Sequence, residues 1–176
     1  MPDSQPALVL LFVSPLPETN PDPRTFTVFR PTDDGSGPIE LYKFYHPNSG
    51  LTFGSTTFHR KNMATAKWET AGEIDWTSAT NATAHFGIEE VPMRELRKPK
   101  KADSKSRRFK ASGSEYKWKK ADNNKDLFCV DSRGKTVASW NQTALTLRVE
   151  KRVEPILDRI VVTCLLNTWM NRQGQW

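Results

Sequence analysis

The chain has 176 residues, a length typical of one domain with a substantial core, and we predict a single domain over residues 1–176. Apolar residues make up 36% of the sequence, and the formal net charge is +6. The two cysteines, Cys129 and Cys164, fit neither a disulfide framework nor a zinc-binding pattern. Each lies in an apolar run, so both are predicted to be buried, reduced thiols.

Short segments of alternating polarity, separated by turn residues, predict about a dozen β-strands. The first is the apolar Leu8–Val13, where the lack of a preceding basic region favours a strand over a signal peptide. The later predicted strands are Thr25–Arg30, Ile39–Tyr45, Leu51–His59, Ala64–Thr70, Glu73–Trp76, Thr83–Ile88, Ser106–Ala111, Glu115–Lys119, Leu127–Val130, Val137–Trp140 and Leu145–Val149. The Ala71–Gly72 step is predicted to be a turn or a bulge. The regular spacing predicts an antiparallel barrel or sandwich.

Residues 155–171 follow these strands as a nearly unbroken apolar run. Apolar residues cover every side of a helical wheel, and such a helix must be buried on all sides. Asp158 and Arg159 interrupt the run, which is also too short for a membrane span. The β-branched run Ile160–Thr163 leaves a buried core strand as the alternative. We favour the helix, and therefore a mainly β fold: a closed antiparallel β-barrel of about twelve strands around a buried C-terminal helix.

Positive charge is concentrated between Arg97 and Lys120. This segment contains eleven basic and two acidic residues, whereas the rest of the chain contains 15 basic and 18 acidic residues. Such a concentration attracts polyanions: phosphoinositide headgroups, an anionic membrane surface or nucleic acid. The predicted anion-binding residues are Lys98, Lys100, Lys101, Lys105, Arg107, Arg108, Lys110, Lys117, Lys119 and Lys120.

Strand alternation within this segment predicts which face carries the charge. Phe109, Tyr116 and Trp118 are predicted to point into the core. The residues that then project outward from the same hairpin are Arg108, Lys110, Lys117 and Lys119. Aromatic side chains on the opposite face cannot stack on bases, which favours lipid over single-stranded nucleic acid. The alternative is a solvated face whose lysines resist edge-to-edge aggregation.

The sequence lacks the motifs that identify common enzymes. It has no phosphate-binding glycine loop and no serine in a nucleophile elbow, and His46, His59 and His85 lack metal-ligand spacing. We therefore predict no catalytic residue, no metal and no cofactor, and a non-enzymatic module that binds anionic phospholipid headgroups or a membrane surface. The predicted location is cytoplasmic and peripheral to a membrane. The alternatives are a nucleic-acid-binding protein and an enzyme with an unrecognised site.

A resemblance to a known family lies in four blocks that occur in the same order: Glu73–Trp76, Ser106–Phe109, Glu115–Lys119 and Leu157–Thr163. In these blocks the sequence resembles an uncharacterised family of small proteins from mushroom-forming fungi, which is related to the tubby C-terminal and LURP-one-like group. The resemblance implies one tubby-like, twelve-stranded β-barrel threaded by a hydrophobic C-terminal helix. Tubby domains bind phosphoinositides through basic surface residues, and the related scramblases act at membranes. The fungal family has no established activity to carry over. The chain departs from the resemblance at Asn167–Met170, where members commonly carry charged residues, so the helix is expected to extend further or to join a partner surface.

Overall fold

The computed structural model describes residues 7–16, 22–49 and 52–176 of the protein. Within these residues, twelve strands form one antiparallel sheet. The strands are β1 (Leu8–Val13), β2 (Phe26–Arg30), β3 (Ile39–Tyr45), β4 (Gly54–Lys61), β5 (Trp68–Ser78), β6 (Asn81–Phe86), β7 (Glu89–Pro92), β8 (Ser106–Ala111), β9 (Ser114–Lys120), β10 (Leu127–Val130), β11 (Thr136–Asn141) and β12 (Thr146–Val149). The helices are α1 (Met93–Leu96), a 3-10 helix (Lys151–Ile156) and α2 (Leu157–Arg172).

The sheet consists of two meanders, β1 to β7 and β8 to β12, joined where β1 pairs with β12. Leu8 lies opposite Val149 in this pair, and both are buried. Strands β7 and β8 are therefore the two edges of the sheet, and no hydrogen bonds join them within the described ranges. The mainly β architecture is confirmed, whereas the predicted closed barrel is not. Helix α1 packs against β6, β7 and β8 and lies between the two edges.

Helix α2 lies in the core, which confirms the helical interpretation of the apolar run and makes the strand alternative wrong. Ile160 is 0% exposed, Leu165 5% and Trp169 7%, so residues on different sides of this helix are buried. Pro155 falls in the preceding 3-10 helix rather than in the first turn of α2. None of the helices in the described part of the chain is long and apolar enough to cross a membrane.

Several strand predictions differ from the structure in the region from β4 to β7. The end of the predicted strand Ala64–Thr70 and the predicted strand Glu73–Trp76 belong to one strand, β5, which begins at Trp68; residues 64–67 lie outside any strand. A register shift at Ala71 lies between the pairs Phe58–Gly72 and His59–Thr70. The Ala71–Gly72 step is thus a bulge. Strand β7 was not predicted, because Glu89–Pro92 is a short, charged edge strand that ends in proline. Strand β4 begins at Gly54, and Leu51, where it was predicted to begin, lies outside the described residues.

The prediction for the two cysteines is confirmed. Cys129 on β10 and Cys164 on α2 are both free and fully buried. Burial in the core raises the pKa of each thiol well above its usual range. Both cysteines therefore contribute as small core residues.

Candidate anion-binding surface

The outer face of the β8–β9 hairpin carries the residues that strand alternation predicted. Ser106 lies opposite Lys119, Arg108 opposite Lys117, and Lys110 opposite Glu115. Partners in such a register project from the same side of the sheet. We call the four cations on this side, Arg108, Lys110, Lys117 and Lys119, the outer basic face. One carboxylate, Glu115, lies among them and contacts Arg108 at 3.3 Å.

The aromatic residues of the hairpin lie on its other side, as predicted. Phe109 is 1% exposed and Trp118 is 0% exposed. Tyr116 is half-buried and stacks on Phe109, with 5.5 Å between the ring centroids. The hairpin is therefore anchored to the core through its aromatic side.

A loop with four exposed lysines lies beside the outer basic face. These lysines are Lys98, Lys100, Lys101 and Lys105. Two backbone hydrogen bonds of 2.9 Å join Lys98 and Arg108 and hold the start of this loop against β8. Lys98 also lies 4.0 Å from Glu95, the one ion pair found for these lysines in the described structure. The loop thus extends the positive surface of the hairpin.

The remaining two predicted residues, Arg107 and Lys120, lie on the inner side of the hairpin. Arg107 pairs with Trp118 in the strand register, and Lys120 pairs with Leu127, so both point the same way as core residues. Arg107 is 9% exposed. The ten predicted residues therefore do not share one surface. Sequence reasoning grouped them by charge, but the two-residue period of the strands separates them.

A cavity of about 430 Å³ lies at the start of α2. Its polar part is a cluster in which the Tyr42 hydroxyl donates a 2.5 Å hydrogen bond to Asp158, and Arg60 pairs with the same carboxylate. Burial, and then the charge of Asp158, raise the pKa of Tyr42 well above its usual value. Sequence reasoning missed this cluster, because only the fold brings β3 and β4 to the N-terminus of α2.

A comparison of the sequence with known families supplies one match. Residues 21–173 match a family of unknown function, DUF6593. The chain belongs to this family. The matched region of DUF6593 includes the whole β8–β9 hairpin, the Arg97 to Lys120 segment and α2. Neither the curated proteins nor the solved structures contain a significant match to the chain.

The DUF6593 chain has a second polar cluster on the outward side of β4 to β6, which sequence reasoning also missed. His85 contacts Asp75 at 3.0 Å, Ser55 donates a hydrogen bond to the same carboxylate, and Glu73 lies within 4.8 Å of the group. Asp75 lies between Ser55 and His85 in this chain of contacts. In a catalytic triad the histidine contacts the serine and takes its proton, so this cluster lacks that arrangement. The Asp75 side chain is 42% exposed.

Proposed function

We propose that this protein is a non-enzymatic binding module whose outer basic face engages the phosphate groups of anionic lipids at a membrane surface. The observation that carries the proposal is the strand register, which collects Arg108, Lys110, Lys117 and Lys119 on one side of a two-stranded hairpin. The four exposed lysines of the neighbouring loop add to the same field. A cation near an anionic membrane contributes on the order of 1 kcal/mol to binding.

Burial of the hairpin aromatics favours a lipid surface over single-stranded nucleic acid. Binding of single strands depends on aromatic side chains that alternate with basic ones and stack on the bases. Phe109 and Trp118 are buried in the core, and Tyr116 packs against it. The two strands of the hairpin therefore carry charge without an aromatic ring on the same side, which suits a phosphate-rich surface. The half-buried Phe128 of the neighbouring β10 lies opposite Lys119.

The proposal includes a cytoplasmic location with peripheral attachment to a membrane. It also includes a relationship of DUF6593 to the tubby C-terminal and LURP-one-like group, which the four sequence blocks imply. In that relationship the sheet is a barrel wall, and α1 between β7 and β8 supplies the part of the wall that hydrogen bonds do not close.

A fourfold substitution tests the proposed function. Replacing Arg108, Lys110, Lys117 and Lys119 together with Gln should weaken binding to anionic vesicles on the order of 10²- to 10³-fold, because about 1 kcal/mol is lost at each position. Co-sedimentation with vesicles of increasing phosphatidylserine content measures the loss. Added salt should weaken binding of the unchanged protein, since screening acts on exposed charges.

A matched control removes the same charge elsewhere on the surface. Lys67, Lys125, Lys135 and Lys151 are exposed residues on other loops and elements, and their fourfold Gln variant should bind anionic vesicles nearly as the unchanged protein does. Equal losses for the two variants would mean that only net charge matters. Stronger binding to a single-stranded oligonucleotide than to vesicles would favour the nucleic-acid alternative.

A further inference from the structure

A second basic cluster lies behind the hairpin, on its inner side, and involves a residue that sequence reasoning did not single out. Arg97, Arg107 and Lys120 surround the indole ring of Trp176. The guanidinium carbons of Arg97 and Arg107 lie 5.7 and 5.5 Å from the ring centroid, and the Lys120 ammonium lies 5.1 Å from it. Three cations thus converge on one position.

The two arginines of this cluster are buried without a carboxylate. Arg97 is 8% exposed and Arg107 is 9% exposed, and neither has an ion-pair partner among the residues that the structure describes. Arg97 Nη2 is buried and has no hydrogen-bond partner there. By contrast, the buried Arg24 pairs with Asp22 at 2.8 Å.

Burying a guanidinium without an opposite charge is costly, and an aromatic ring offsets only part of that cost. Burial, and then the charge of Arg107, lower the pKa of Arg97 to about 10. The side chain is nevertheless held firmly, because Arg97 Nε donates a 2.8 Å hydrogen bond to Asn167 of α2, which itself donates to the Thr163 carbonyl. Arg107 Nη1 donates to the Ser104 and Ser106 carbonyls at 2.7 and 3.0 Å. Arg97, Arg107 and Lys120 are thus a group of positive charges without a carboxylate partner among the described residues.

We propose that Arg97, Arg107 and Lys120 form a binding site for an oxoanion, phosphate or a phosphomonoester, which takes the position of the Trp176 indole. An anion at that position lies within reach of all three cations, since each is less than 6 Å from the ring centroid. Phosphate oxygens accept the charge-assisted hydrogen bonds that arginine donates best. This site is separate from the outer basic face and does not depend on its function.

Trp176 lies between these arginines and a cavity of about 350 Å³ that opens to solvent. The cavity is lined by Lys105, Lys120, Ala121, Asp122, Asn124 and Trp176. The indole donates one hydrogen bond, from Nε1 to the Lys105 carbonyl at 3.0 Å, and packs against the edge of the core. Gly174, at a φ of 69°, turns the chain after α2 so that the ring reaches this position. Displacement of the ring into the cavity opens a path to the arginines.

Thermal unfolding with inorganic phosphate tests the site, with chloride at equal ionic strength as the reference. At ten times Kd, phosphate should raise Tm by about 3–6 °C. Lys120→Gln should weaken phosphate binding by at least about tenfold, because a charge-assisted hydrogen bond is lost. The matched control is Lys119→Gln, the next residue on the opposite face of β9, which should keep the full shift.

Trp176→Ala provides a second and opposite test. Because the ring competes with the anion for the cations, its removal should tighten phosphate binding by at least about threefold. Phosphate could raise Tm only in Trp176→Ala, and the rise could be lost when Lys120→Gln is added. That result also supports the site and means that the indole blocks it in the unchanged protein. No shift in either the unchanged protein or Trp176→Ala would overturn the proposal. Equal losses of phosphate binding in Lys119→Gln and Lys120→Gln would also overturn it.

Separate arms distinguish the source of the phosphate group. Inorganic phosphate, a soluble inositol phosphate and phosphatidylserine vesicles are each titrated against the unchanged protein and Lys120→Gln. The site formed by Arg97, Arg107 and Lys120, here called the inner site, should bind both soluble anions, and Lys120→Gln should weaken that binding. Lys120→Gln should leave the affinity for vesicles within about twofold of that of the unchanged protein. Loss of vesicle binding in Lys120→Gln, without any response to soluble phosphate, would overturn the inner site and leave the outer basic face unaffected.

Discussion

Leu166→Ala is expected to lower the free energy of unfolding by about 2–5 kcal/mol, the range for removing a large buried side chain. Leu166 lies on α2 and is 0% exposed, so its removal leaves a cavity that the surrounding strands cannot fill. Equilibrium unfolding in urea, followed by tryptophan fluorescence, measures the change. The cost is large because the side of α2 that carries Leu166 is packed in the core and cannot relax toward solvent.

The control for this prediction is Leu16→Ala. Leu16 is 70% exposed, and its truncation should change the free energy of unfolding by less than about 0.5 kcal/mol. Similar small values for Leu166→Ala and Leu16→Ala would contradict a packed core around α2.

Gly72→Ala is expected to be at least as damaging, with a cost of about 3 kcal/mol or more. A Cβ atom at Gly72 would lie 2.0 Å from the backbone carbonyl oxygen of His85 and 2.5 Å from the Phe58 ring. The backbone oxygen belongs to the paired strand β6 and cannot move without breaking the β5–β6 ladder. Overpacking against backbone costs more than overpacking against a flexible side chain. Soluble yield and Tm of the variant measure the effect.

Gly37→Ala separates crowding from backbone strain. Gly37 has a φ of 89° and open space where a Cβ would lie, so its substitution should cost only about 1 kcal/mol. A Gly72→Ala protein as stable as Gly37→Ala would show that β5 and β6 do not approach as closely as the structure indicates.

Local patterns explain why most of the fold was predictable. The apolar wheel of α2 and the alternation in strands such as β8 follow from hydrophobic periodicity alone. Patterns fail where a strand is irregular or sits at an edge. The bulge at Ala71 interrupts the alternation of β5, so one strand looked like two. The edge strand β7 has almost no buried face to reveal it.

The candidate site was predictable only in part, for a related reason. Alternation along β8 and β9 correctly separated Arg108 and Lys119 from the aromatic residues. The same alternation places Arg107 and Lys120 on the inner side. They were predicted to bind anions together with the outer residues because the prediction used only the concentration of charge in the sequence. The contacts of Arg97 with Asn167 and Trp176 join residues distant in the sequence, and no local pattern encodes them.

Lysine acetylation, read residue by residue by mass spectrometry, tests most directly whether adjacent lysines of β9 belong to two separate anion-binding surfaces. Anionic vesicles should protect Lys117 and Lys119 from acetylation and leave Lys120 unchanged. Inorganic phosphate should protect Lys120 and leave Lys117 and Lys119 unchanged. Equal protection of Lys119 and Lys120 by either ligand would contradict two separate surfaces, and so would a lack of protection at both lysines.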